Sequence, residues 1–105
     1  MQVSAYRVRN SVVLVILEAH VPTDQWHTLK LAYSHAMKNR LDGLVSSLLT
    51  QDIHERSLWR ISTIWESHET AMAHYESGAR MPSIYAFHLI GIVPDMTISD
   101  IVAHA

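Results

Sequence analysis

Eight histidines stand in a chain that has no cysteine, so imidazole is the group from which acid–base chemistry near neutral pH has to be drawn. His74 is the leading candidate. It lies in the run Trp65-Glu66-Ser67-His68-Glu69-Thr70-Ala71-Met72-Ala73-His74-Tyr75-Glu76-Ser77, which reads as a strand passing into a capped helix. One residue from the inward Tyr75, His74 should sit on the flank of that helix. An imidazole with an unperturbed pKa of about 6.5 can take a phenolic or enolic proton there. The plain alternative is a partly exposed polar residue. His88, with Tyr85 about one turn away, is the rival acid–base group, and His20 and His35 are outside candidates.

So many histidines also raise the question of metal. His27 and His35 are eight residues apart, about 12 Å along a helix axis, and His68 and His74 project in different directions. The spacings therefore predict no metal site on one face, although a site assembled from distant segments stays open. Trp65, at the strand-to-helix corner, reads as core filling beneath the helix, or as a pocket wall that stacks on a planar ligand. Trp26, Tyr33, Tyr75 and Tyr85 are the other expected walls of a substrate pocket. No thiolate nucleophile, Gly-rich phosphate loop, nucleophile elbow or dinucleotide fingerprint is present, and all three glycines are placed as stops or turns.

The elements that must position these residues follow from periodicity and punctuation. Residues 1–10 form an arm or strand extension, and residues 11–105 a single domain, with one modest core for 105 residues. Residues 11–20 are β-branched and apolar at consecutive positions, which predicts a strand buried on both faces. Thr23 should cap a helix over 24–40, with Trp26, Leu29, Tyr33, Ala36 and Met37 inward and Gly43 as its stop. Strands over 44–53 and 58–65 form an antiparallel pair, in which Trp59, Ile61, Thr63 and Trp65 share a face. Ser67 caps a helix over 68–77 that Gly78 ends, Pro82 opens a short helix through His88 that Gly91 closes, and a last strand covers 96–103.

This order, β-α-β-β-α-(α)-β, predicts an α+β fold of the ferredoxin-like kind: a split βαβ sandwich with a four-stranded antiparallel sheet and helices on one face. The first and third strands should be central. Helices can cover only one face, and the rest of the chain offers nothing for the other. An apolar sheet face left to water predicts a homodimer, sheet against sheet.

Composition excludes other classes. A formal charge of −2 and scattered Lys and Arg build no basic footprint, so no nucleic-acid partner is expected. The apolar run 12–17 is too short for a signal segment or a membrane span. The absence of cysteine suits a reducing, cytoplasmic setting.

The element order, the Gly43-Leu44 entry to the second strand, and Ile64-Trp65-Glu66-Ser67-x-Glu69-x-x-x-x-His74-x-x-Ser77 resemble the antibiotic biosynthesis monooxygenase domains, whose subunits pair as a dimeric α+β barrel. The likeness spans roughly residues 11–104. It implies a ligand pocket between the helices and the sheet. It also implies a cofactor-independent monooxygenase acting on a small aromatic, quinol or polyketide-type substrate, with His74 or His88 as acid–base. An oxygen-independent isomerase or cyclase, and a non-catalytic dimeric ligand-binding domain, are the alternatives. Several family residues are absent. Ala79 stands where many members carry a second histidine, and Ile84 where the haem-degrading branch carries its axial ligand. Ile61 and Ala71 replace the asparagine and tyrosine of the phenol-oxidising branch. Haem degradation is therefore disfavoured, and only Trp65 remains from that catalytic set.

Overall fold

The computed structural model describes residues 12–39, 41–76 and 82–103. The expected arm over 1–10, Arg40, Gly78 and Ala79 lie outside the described residues. The chain forms β1 (Val13–His20), α1 (Trp26–Ala36), β2 (Leu44–Gln51), β3 (Leu58–Trp65), α2 (His68–Glu76), α3 (Pro82–His88) and β4 (Asp95–Asp100). The four strands make one antiparallel sheet in the order β2-β3-β1-β4. As the split βαβ order requires, the first and third strands are central, and the fold is the expected ferredoxin-like α+β sandwich.

Alternation along the two central strands divides the sheet into unlike faces. Val13, Val15, Leu17 and Ala19 pair with Trp65, Thr63, Ile61 and Trp59, and all eight side chains are buried. Two core clusters lie over this face. One gathers Leu17, Leu29, Trp59, Ile61 and Phe87, and the other Val13, Val15, Trp65 and Ala71. Ile84 packs against both and joins them. Phe87, fully buried, is the kind of side chain whose burial contributes roughly 1.5–3 kcal/mol. The opposite face carries Leu14, Ile16 and Ile64, all half-buried, and Leu48, which is 59% exposed. Within one subunit the first strand is buried on its helix side and half-buried on the other, because one chain has helices for only one side. A concavity of about 560 Å³ opens among Val12, Ile64, Ile101 and Val102.

The other end of the uncovered face is charged. Arg60 Nε donates to Glu18 Oε1 at 2.7 Å and its Nη1 to Asp52 Oδ1 at 3.3 Å. Asp52 Oδ2 accepts the backbone N–H groups of His54 (3.0 Å) and Glu55 (2.8 Å). This turn draws the chain out of the ladder, so β2 ends at Gln51 rather than at residue 53. The Glu55 N–H bond, then Arg60, hold the Asp52 carboxyl below the usual carboxylate range, and Glu18 chiefly raises the Arg60 guanidinium. A depressed carboxylate contributes stability above its unfolded pKa of about 3.9 and loses it as pH falls through the folded value. Asp52→Asn is expected to melt below the wild type at neutral pH, with the gap closing as pH falls below about 4. Thermal melts across that range check this; a gap independent of pH would remove the carboxylate from the explanation.

The helices also depart from expectation at their ends. Thr23 does not cap; it lies inside a 3-10 turn, Thr23–Gln25, entered from Pro22, with no side-chain cap bond. Because that turn intervenes, the α-helix starts at Trp26 instead of residue 24. It closes at Ala36 rather than 40, as Lys38 N turns to His35 O at 3.2 Å. Leu41 O then accepts Leu44 N at 3.1 Å across Gly43, whose φ of +85° only glycine adopts without strain. The last strand spans Asp95–Asp100, shorter at its C-terminal end than 96–103.

Candidate active site at the strand-to-helix corner

Trp65 is the last residue of β3, and its alternation places it under the helices. Its Nε1 donates at 2.9 Å to Oγ1 of Thr63, two residues back on the same face, so the indole is fixed at 1% exposure. Thr63 is itself 2% exposed and is positioned to donate to Val15 O at 3.5 Å. After Trp65 the chain turns sharply: Glu66 N donates to Gly43 O at 2.8 Å, tying the corner to the entry of β2. Ser67 then caps α2 as its sequence promised, its Oγ accepting Thr70 N at 3.1 Å. Cap and corner together fix where the helix begins, and therefore where its later residues fall.

They bring His74 over Trp65. The two ring centroids are 4.9 Å apart with planes inclined at 34°, so half-buried His74 lies against the indole. Its Nε2 lies 3.3 Å from the carbonyl oxygen of Asp42, which can only accept. In that contact Nε2 is the donor and carries a proton. The tilted imidazole is thus held by the indole beside it and by the carbonyl, the positioning that an acid–base role would require. Trp65 serves here as the platform of His74, its ring covered rather than open to a ligand.

The other expected site residues fall into separate places. Tyr75 packs against the same cluster as Trp65, and its Oη is buried without a partner among the described residues. Burial raises its pKa, so it stays a neutral phenol able to donate a hydrogen bond. Trp26 and Tyr33 border the other cluster. Trp26 Nε1 donates to Val21 O at 2.9 Å, and Tyr33 Oη pairs with Ser47 Oγ at 2.8 Å. Tyr85 is 45% exposed and His88 is exposed at the end of α3, so neither joins His74. Among the described residues no group of three or more His, Asp or Glu is placed to hold a metal ion.

Sequence reasoning passed over the Asp42 carbonyl, because a backbone group carries no residue signal. The alternation of β3 puts Thr63 on one face with Trp59, Ile61 and Trp65 and carries no signal for what its hydroxyl binds. A polar residue in an apolar alternation is itself the cue for such a partner.

No family model and no curated protein matches the chain. Solved structures do. A conserved protein of Methanosarcina mazei Go1 superposes with a TM-score of 0.71 at 11% identity, over 90% of this chain and 97% of that one. A "putative antibiotic biosynthesis monooxygenase" of Deinococcus radiodurans gives 0.71 at 16% identity, over 89% and 95%. A protein so named from Caulobacter crescentus CB15 gives 0.70 at 12%, over 95% and 98%.

The chain has the ferredoxin-like α+β fold of these structures, several of which are named "putative antibiotic biosynthesis monooxygenase" (ABM). In this fold the His74–Trp65 corner lies at one end of the layer between helices and sheet. No described helix is long and apolar enough to cross a membrane.

Proposed function

We propose that the chain is a member of the ABM family and works as a small monooxygenase without an organic cofactor, oxidising an enolisable aromatic or quinol-type molecule. The single observation that carries this reading is the oriented His74 imidazole seated on Trp65. His74 takes the substrate proton, leaving a delocalised anion rich enough in electrons to reduce O₂ directly. Carbon–oxygen bond formation gives a peroxide at the former C–H₂ carbon. His74 returns its proton to the peroxide, then takes the remaining proton from that carbon as the O–O bond breaks and passes it to the departing hydroxide, so that water leaves and a ring carbonyl remains. One oxygen atom enters the product and the other leaves as water. The apolar clusters on either side of Ile84 suit an anion kept from solvent, where it is the stronger donor.

The deciding experiment is oxygen uptake with polycyclic phenols and ketones, in the presence of a chelator and without added flavin. Uptake stoichiometric with ketone formation supports the reading. Substrate turnover without oxygen uptake would replace it with an isomerase or cyclase using the same base. Saturable binding without turnover would make the chain a ligand-binding domain.

The assembly we propose is a homodimer that buries the uncovered sheet face in a cytoplasmic setting. Support comes from the half-buried Leu14, Ile16 and Ile64 beside exposed Leu48, which a lone subunit leaves against water. Ile16→Lys, central on that face, is expected to sediment as a monomer while keeping its helical and sheet signal. A wild type that sediments as a monomer at all concentrations would end the proposal.

A further inference from the structure

Three aromatic side chains with a polar atom meet around the first core cluster. Two of them have spent it on the protein: Trp26 Nε1 on Val21 O, and Tyr33 Oη on Ser47 Oγ. The third has not. Trp59 is 4% exposed, its ring centroid 5.8 Å from that of Trp26, and its Nε1 has no hydrogen-bond partner among the described residues. Buried polar groups in folded proteins are almost always paired, and an indole N–H can only donate. Leu17, Leu29, Ile61 and Phe87 around it offer no acceptor from their side chains.

We infer that Trp59 Nε1 is a specificity-determining donor for a carbonyl oxygen of an aromatic ligand lodged between α1 and the sheet, with half-buried Trp26 and Tyr33 at its border. The inference rests on the proposed function for its ligand class and narrows it to aromatics that bear a carbonyl acceptor. A hydrocarbon of the same shape gains nothing from the indole N–H. A phenolic hydroxyl can accept through its oxygen, but it is a poorer acceptor than a carbonyl. A ketone or quinone oxygen pairs the N–H that this cluster leaves open among the described residues, and a site built this way rejects the analogue that lacks the oxygen.

The test uses naphthoquinone and naphthalene as probes, with anaerobic titrations followed on the three indole N–H signals of the ¹⁵N-labelled chain. Because the chain has no cysteine, the quinone has no thiol to alkylate. Naphthoquinone is expected to move the Trp59 indole signal more than those of Trp26 and Trp65. Trp59→Phe, which keeps a ring, is expected to weaken naphthoquinone at least about ten-fold while naphthalene changes by less than about two-fold. Equal naphthoquinone affinity in the two proteins, or no binding to the wild type, would overturn the inference. Binding is measured without oxygen, so a wild type that binds naphthoquinone through Trp59 but consumes no oxygen with any substrate refutes the monooxygenase reading alone.

Discussion

Replacing His74 by alanine is expected to lower kcat on a confirmed substrate by about 10²- to 10⁴-fold, the range a positioned acid–base group supplies. His88→Ala should change it by less than about two-fold, because His88 is exposed at the end of α3 and is not gathered at the corner. Removing the imidazole also uncovers Trp65, so a loss of activity alone would not separate chemistry from packing. His74→Gln separates them. Glutamine covers the indole and can still donate to the Asp42 carbonyl, yet cannot accept a proton at neutral pH. It is expected to keep the wild-type melting point and lose activity as alanine does. Activity retained in His74→Gln would assign His74 a structural role only.

The second large effect concerns Gly43. Its φ of +85° costs a residue with a side chain roughly 1–2 kcal/mol. A methyl group there would also overlap the side chain of Thr70. Thr70 cannot swing away cheaply, since its backbone N–H and hydroxyl both engage Ser67 at the cap of α2, at 3.1 and 2.7 Å. Overpacking of this kind adds about 1–3 kcal/mol, so Gly43→Ala should destabilise by roughly 2–5 kcal/mol in urea unfolding. Gly91→Ala is the internal control, with φ of +75° and nothing within 4 Å of its added Cβ. It should show only the conformational part, about 1–2 kcal/mol. Thr70→Ser, which removes the nearest clashing methyl, should recover part of the difference in the Gly43→Ala background. Equal losses at the two glycines would dismiss the overlap with Thr70.

These two residues belong to one corner, and the corner explains how a helix flank becomes a site. Glu66 N bound to Gly43 O sets the entry of β2 against the exit of β3. The Gly43 backbone passes so close to Thr70 that α2 has one seat, and in that seat His74 reaches both Trp65 and the Asp42 carbonyl. A disturbance at Gly43 is therefore also a disturbance of the imidazole's orientation.

Much of this was legible in the residues. The Trp59, Ile61, Thr63 and Trp65 alternation fixed which face of β3 is buried, and Ser67 fixed the start of α2, because both signals are local. Helix ends were less legible. Thr23 has the right type for a cap, but the chain leaving Pro22 tightens into a 3-10 turn that takes Thr23 inside it. The C-terminal end of α1 depends on where Gly43 must stand for β2 to pair with β3, which no periodicity within the helix records.

The sequence by itself determined the order of elements, the grouping of Trp59, Ile61, Thr63 and Trp65 on one face of β3 and the presence of a histidine in the helix after Trp65. These follow from side-chain chemistry repeated at the strand and helix periods. Tertiary structure alone decided that His74 rather than His88 meets an aromatic platform, that a backbone carbonyl 32 residues away helps to orient it, and that Trp59 keeps an N–H unpaired among the described residues. Those outcomes depend on how separate elements close on one another. The contact distances that create a site are set by that closure, and residue type and local spacing do not encode it.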